Sequence, residues 1–140
     1  MKTVFFTAAA ALILLGILAV LDHNNDFSLT QRENVHKFGA TYMTMNNPFF
    51  EVVNETIRAT VESNGDILIT RDPALDAVRQ TQQMYELIDG GVEAIFIAPV
   101  DFEKIIPAIR YGREKGIKII LVDTEIYDES LADCTVVSDN

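Results

Sequence analysis

The chain has 140 residues, of which 11 are Lys or Arg and 21 are Asp or Glu, so its formal net charge is −10. This charge excludes the basic surface that nucleic-acid binding requires, and it provides no attraction to anionic lipid. The length beyond the apolar N-terminal segment is enough for one domain with a hydrophobic core. The single cysteine, Cys134, rules out a disulfide within the chain, and its apolar neighbours predict a buried side chain.

The first element, within residues 1–21, is the uncharged apolar segment Val4–Leu21. As a helix it would measure about 27 Å, close to the thickness of the hydrocarbon core of a membrane. Leu18–Asp22 contains no Ala-x-Ala-like cleavage site, which favours a retained transmembrane signal anchor over a cleaved signal peptide. A retained anchor would place the N-terminus in the cytoplasm and hold the domain at the outer side of the cell membrane. A cleaved signal would instead export the domain to the periplasm.

Residues 22–36 are polar and are interpreted as a linker. Both histidines, His23 and His36, fall in this stretch, without carboxylate or cysteine partners at the spacing of metal ligands. We therefore expect them to be solvated, and the sequence predicts no metal, cofactor or catalytic site.

Residues 37–140 alternate between strand and helix patterns. The predicted strands are Phe38–Met43, Asp66–Thr70, Val92–Ala98, Ile117–Val122 and Cys134–Ser138. The first predicted helix runs from Pro48 to Ser63. The second runs from the Asp72-Pro73 cap to Gly90-Gly91, with Ala74 and Val78 on its buried face. The third follows a turn at Asp101 and runs from near Pro107 to Lys115, with Gly116 just after its end. This alternation predicts an α/β fold with right-handed crossovers and a doubly wound parallel sheet.

The segment Asn46–Phe50 follows the first predicted strand and combines amides, a proline and two aromatic rings. Amides supply hydrogen-bond donors and acceptors, and aromatic rings supply flat apolar faces, a combination that suits a sugar. The alternative is that Asn47 only caps the helix, with Pro48 at its first position, while Phe49 and Phe50 enter the core.

Asp123 follows the fourth predicted strand directly. Ligands of open α/β sheets bind outside the carboxyl ends of the strands, so Asp123 and Asn47 are expected at one ligand-binding edge. A carboxylate that only caps a turn after the strand is the alternative.

Four motifs occur together in this order. They are Asn46–Phe50, Leu87–Ile95 leading to Ala98-Pro99, Gly116-Ile117 before Val122–Thr124, and Val136–Asn140. In order and spacing they resemble the type I periplasmic sugar-binding proteins, the ribose-binding-like substrate-binding components of ABC transporters. The resemblance implies the N-terminal lobe of a two-lobed protein, in which a sugar lies between the lobes, with the second lobe missing from this sequence.

The same resemblance assigns roles to individual residues. Asn47 and Asp123 would hydrogen-bond sugar hydroxyls, and Phe49 and Phe50 would flank the ring. Thr124 stands where the ribose-binding pattern has an arginine, which argues against ribose itself because a hydroxyl cannot replace a guanidinium.

Two functions remain open. The first is extracytoplasmic binding of a monosaccharide or a related small polar ligand, for ABC-type import or sensing, with an ABC permease or a sensor kinase as partner. The second is a membrane-anchored interaction or sensor domain that binds a partner protein and has no sugar affinity as an isolated lobe. Neither function is enzymatic.

Overall fold

The computed structural model describes residues 34–124 and 128–137. Its elements are β1 (Lys37–Thr41), α1 (Pro48–Ser63), β2 (Ile67–Arg71), α2 (Ala77–Asp89), β3 (Ala94–Ile97), α3 (Phe102–Glu114), β4 (Lys118–Val122), a short 3-10 helix (Glu129–Leu131) and β5 (Cys134–Val136). The predicted segment Val4–Leu21 lies outside the described residues. Among the helices that are described, none is both long and apolar enough to cross a membrane.

The five strands form one sheet in the order β2-β1-β3-β4-β5, and every neighbouring pair is parallel. The predicted α/β fold with a parallel sheet is thus confirmed. Because the strands are parallel, their carboxyl ends lie on one side of the sheet, which we call the carboxyl edge. It comprises the residues directly after each strand: Tyr42, Asp72, Ala98, Asp123 and Val137.

Helices cover both faces of the sheet, as the apolar strands require. Phe50 and Val61 of α1 pack in one apolar cluster with Tyr42 and Leu68. The other cluster includes Met84 and Leu87 from α2, Ile105 and Ile109 from α3, and Ile95, Ile119 and Leu121 from the strands. Gly39 permits a close approach of α2, since a Cβ at this position would lie 3.1 Å from Cδ1 of Leu87.

The predicted start of the second helix at Asp72-Pro73 is wrong, because α2 begins at Ala77 and its N-cap is Asp76. Between these positions Ala74 and Leu75 adopt positive φ angles of 51° and 65°, which a right-handed helix does not allow. The Asp72 carboxylate accepts instead from the N–H of Ala74, at 2.8 Å. Ala74 therefore lies outside the helix.

Val78, also predicted on the buried face of this helix, is 69% exposed. The Asp76 carboxylate accepts from the N–H groups of Val78 and Arg79. Val78 is thus in the first turn of α2, where its side chain points away from the core.

The third helix begins earlier than predicted, at Phe102, because Asp101 is its N-cap and accepts from the N–H groups of Glu103 and Lys104. Pro107 lies inside the helix and not at its start. A proline there removes one backbone hydrogen bond without ending the helix. The predicted end is confirmed, with Gly116 in a left-handed conformation (φ 81°) just after the helix.

Cys134 is exposed, which contradicts the prediction of a buried thiol. It belongs to the three-residue strand β5, whose residues are all exposed because this strand is at the end of the sheet. An apolar sequence around a small residue indicates burial only where a second layer covers the strand.

His36, expected in a solvated linker, contacts the amino ends of two strands. Its backbone N–H donates to Asp66 at 3.0 Å, and its ring Nδ1 lies 2.7 and 2.9 Å from the two carboxylate oxygens of Glu93. The hydrogen bond and the charge of Glu93 raise the pKa of His36. This pair therefore joins the chain before β1 to the residue before β3, on the side of the sheet opposite the carboxyl edge.

Candidate functional site at the carboxyl edge

Asn47 caps α1. Its side-chain oxygen accepts from the N–H of Phe49 at 3.0 Å, its backbone is extended (φ −132°, ψ 118°), and Pro48 occupies the first helical position. The capping interpretation is thus correct for the oxygen. The cap does not use the amide Nδ2, so the same side chain still carries a donor for a ligand.

The two phenylalanines have different environments. Phe49 is 40% exposed, whereas Phe50 is 5% exposed and stacks on Tyr42 with ring centroids 5.5 Å apart. The rings of Phe49 and Phe50 meet edge to face at 5.2 Å. Burial raises the pKa of Tyr42 to about 12. Phe49 thus leaves part of its ring exposed, and Phe50 contacts it from the core.

Asp123 follows β4 at the carboxyl edge and is exposed. Its φ of 54° lies in the left-handed region, which Asp and Asn tolerate better than most residues. Its N–H donates to the carbonyl of Val136 at 2.7 Å, which fixes the turn against β5. The neighbouring Thr124 is half-buried, and its hydroxyl donates to the carbonyl of Val122 at 3.2 Å.

Phe49 and Asp123 line the same groove, which has a volume of about 370 Å³ and lies between α1 and the strands β3, β4 and β5. The rest of its lining is nearly all apolar: Val52, Val53, Thr56, Ile57, Phe96, Ile120, Val122, Val136 and Val137. Asn47 is not part of this lining. The structure thus brings Phe49 and Asp123 together, and it places Asn47 beside Phe49 at the start of α1.

Hydrogen bonds across the edge connect the loops after β1 and β2. The Asp72 carboxylate accepts from the N–H of Met45 at 3.1 Å, and the N–H of Leu75 donates to the carbonyl of Met43 at 2.9 Å. Asp72 was predicted as a helix cap, whereas in the structure it ties the loop that leads to Asn47 to the end of β2.

Gln80 is a residue of this edge that sequence reasoning missed. Its side chain is fully buried, and it donates to the carbonyl of Ala98 at 3.0 Å and accepts from the N–H of Val100 at 2.7 Å. The sequence does contain a signal, since Gln80 is a polar residue one helical turn from Ala77 and one turn from the buried Met84. Polar residues on a buried helix face are hydrogen-bonded, which predicts a specific contact.

Carboxylates and other potential metal ligands do not converge in the part of the chain that the structure describes, where no group of three or more His, Cys, Asp or Glu side chains could hold a metal ion.

Comparison with known proteins shows the family. Residues 38–140 match the family model described as the periplasmic binding protein domain. The chain belongs to this family. The resemblance inferred from the four sequence motifs is thereby confirmed, over the part of the chain that matches.

Individual relatives agree with this assignment. The periplasmic binding protein domain is 29% identical over 102 residues to the ribose import binding protein of Bacillus subtilis (strain 168), covering 73% of this chain and 33% of the relative. It is 31% identical over 96 residues to the D-apiose import binding protein of Paraburkholderia graminis, covering 67% of this chain and 30% of the relative. The chain thus spans about a third of the length of these curated relatives.

A solved structure with a similar fold is an ABC transporter solute-binding protein from Mycobacterium smegmatis with bound glycerol. The TM-score is 0.67 at 28% sequence identity, and the match covers 74% of this chain and 35% of that one. The parallel α/β architecture described above is therefore shared with about a third of the chain of a solute-binding protein.

Proposed function

We propose that this domain binds a monosaccharide or a related small polar ligand at its carboxyl edge, for ABC-type import or sensing. The observation that carries the proposal is the placement of Phe49 and Asp123 on one groove at this edge. An exposed aromatic ring provides a surface for the C–H face of a sugar. A carboxylate at its side accepts hydrogen bonds from two neighbouring hydroxyls.

Asn47 and Phe50 complete the proposed site. The Asn47 amide donates to a sugar hydroxyl while its oxygen remains in the helix cap. Phe50, which packs edge to face against Phe49, holds that ring in place from the core side. Thr124 contributes a short hydroxyl and no positive charge, so we expect a ligand other than ribose.

The relatives support the class of ligand. One is named for ribose import and another for D-apiose import, and the similar solved structure is an ABC transporter solute-binding protein. On this basis the protein works as a binding protein and not as an enzyme, with an ABC permease or a sensor kinase as its partner.

An NMR titration of the full chain tests sugar binding. Amide spectra are recorded with D-ribose, D-apiose, D-glucose, D-galactose and glycerol, in a detergent without a sugar headgroup, so that the detergent does not compete. We expect shift changes at Phe49, Asp123 and Thr124 with a Kd of about 1 mM, which corresponds to a binding free energy of about 4 kcal/mol. If none of the five compounds shifts these amides, the sugar assignment is wrong and the partner-protein interpretation replaces it.

The proposed location is the outside of the cytoplasmic membrane, with Val4–Leu21 retained as an anchor. The support is the length of this apolar segment and its missing cleavage site. Mass spectrometry of the mature chain isolated from membranes tests this point. A mature N-terminus at Met1 or Lys2 agrees with an anchor, whereas one between Leu21 and Asn25 identifies a cleaved signal.

A further inference from the structure

We propose that Gln80 is a positioning residue of the ligand site, which fixes the loops after β1 and β3 relative to each other at the carboxyl edge. This inference rests on the proposed function, because it concerns the same edge. Gln80 is in the first turn of α2, on the sheet face opposite α1, and it has no direct contact with the groove that Phe49 and Asp123 line.

The hydrogen bonds of Gln80 connect two strands that are neighbours in the sheet. Its Nε2 donates to the carbonyl of Ala98, directly after β3, at 3.0 Å, and it lies 3.4 Å from both the carbonyl of Tyr42 and the hydroxyl of Thr41, at the end of β1. Its Oε1 accepts from the N–H of Val100 at 2.7 Å. One amide thus serves as donor toward two strand ends and as acceptor for the loop that leads into α3.

A helix that only had to pack on the sheet would carry an apolar residue here. A fully buried amide is unfavourable unless its polar atoms are paired, and Gln80 has 0% exposure. Its partners are backbone groups at a point where the regular strand pairing ends. Gln80 therefore adds side-chain hydrogen bonds just where the backbone bonds between these strands end, since the last of them runs from the N–H of Ala98 to the carbonyl of Thr41 at 3.0 Å.

The loop held by Gln80 leads to the proposed ligand contacts. It runs from Tyr42 to Asn47, and a second side chain, Asp72, holds it at the N–H of Met45. Without Gln80 the loop keeps its attachments at Asp72, at the helix cap and at the carbonyl of Met43, which accepts from the N–H of Leu75, but it loses its side-chain link to the end of β3. A shift of about 1 Å at Asn47 is enough to weaken its hydrogen bond to a ligand, because hydrogen bonds depend steeply on distance and angle.

Gln80→Met tests this inference, because methionine has a similar length and volume but neither donor nor acceptor. The matched control is Ile88→Val, a conservative change of a buried residue two turns further along α2, away from the carboxyl edge. Both variants are measured as full chains by amide hydrogen exchange without ligand, and by NMR titration with the same five compounds.

In Gln80→Met we expect exchange at Val100 to accelerate about tenfold more than at the amides of β4, and the Kd of any compound that binds the wild type to rise about fivefold. In Ile88→Val we expect a uniform change in exchange and an unchanged Kd. If Gln80→Met behaves like the control in both measurements, Gln80 is only a packing residue and the inference is wrong.

Gln80→Glu keeps the test decisive if the methionine variant does not fold. A buried glutamate that faces the oxygens of Ala98, Tyr42 and Thr41 has a raised pKa, and its protonated form donates as the amide does. We expect the Kd of the Gln80→Glu variant for a compound that binds the wild type to fall toward the wild-type value as the pH is lowered from about 8 to about 5. A constant difference from the wild type over this range contradicts the inference.

Failure of the proposed function gives a different result. If no compound binds the wild type, the ligand-site role of Gln80 falls together with the sugar assignment. Local exchange at Val100 still separates the two ideas, since it shows whether Gln80 holds these loops in the absence of any ligand.

Discussion

Replacing Asp123 with asparagine removes the negative charge of this side chain and keeps its size. The φ of 54° at this position suits Asn as well as Asp, and the hydrogen bond from its N–H to Val136 involves the backbone only. Asp123→Asn is therefore a cleaner change than Asp123→Ala, which would add left-handed strain of about 1 kcal/mol.

The expected effect follows from the strength of charge-assisted hydrogen bonds. A bond to a carboxylate contributes about 1.5–3 kcal/mol, and a bond to a neutral acceptor about 0.5–1.5 kcal/mol. The difference of about 1–2 kcal/mol corresponds to a Kd that is about 5 to 30 times higher. Titration of the wild type and the variant with the same sugar measures this ratio, and thermal unfolding of both, without sugar, is expected to give the same Tm.

The preceding residue is the matched contrast. Val122 is 6% exposed and packs in the apolar cluster of α1, so Val122→Asp places a carboxylate in an almost fully buried, apolar environment. This costs several kcal/mol, comparable with the total stability of a small domain, and we expect Val122→Asp to unfold the protein. The reasoning about Asp123 is refuted if Asp123→Asn lowers the Tm strongly and leaves the measured affinity unchanged, because the aspartate would then be a structural cap.

Three further changes have distinct expected outcomes. Asn47→Asp keeps the helix cap but removes the amide donor, so calorimetry should show an affinity about 2 to 10 times lower, with unfolding unchanged within about 0.5 kcal/mol. Gly39→Ala places a Cβ 3.1 Å from Cδ1 of Leu87 and should lower the free energy of unfolding in urea by about 1–3 kcal/mol without changing the affinity. An NMR titration should give His36 a pKa above its ordinary value, and Glu93→Gln should lower that pKa. The stabilisation by this ion pair is fully present below the ordinary pKa of histidine and is lost as the pH rises through the raised pKa of His36.

The order of strands and helices could be predicted from sequence because the apolar periodicity agreed with the positions of proline and glycine at the ends of the elements. Pro48 and Gly116 mark a helix start and a helix end correctly, since the first turn of a helix does not need the N–H that proline lacks, and glycine readily adopts the left-handed conformation that ends a helix. Asp72-Pro73 has the same local pattern as Asn47-Pro48 but does not start a helix. The difference comes from a tertiary contact, because the Asp72 carboxylate accepts a hydrogen bond from the N–H of Met45 in another loop.

The site could be predicted only in part. Asn47, Phe49 and Asp123 follow from their positions after strands, which local sequence indicates. The burial of Phe50 agrees with the alternative that this ring enters the core, whereas the exposure of Cys134 does not follow from the sequence, because it depends on which elements cover that part of the sheet. Gln80 was missed for a related reason: its partners are 18 to 39 residues away in sequence, and no local pattern encodes them.

The carboxyl edge and the core are held together by different forces, and this makes their perturbations separable. The strands are fixed by apolar burial, which tolerates small changes of shape with a modest loss of stability. The loops beyond the strands are fixed by a small number of hydrogen bonds, several of which come from polar side chains such as Asp72 and Gln80. A core change such as Gly39→Ala therefore lowers stability and leaves the edge in place. Loss of an edge hydrogen bond moves a loop without unfolding the sheet, so affinity and stability are expected to vary independently at these two kinds of position.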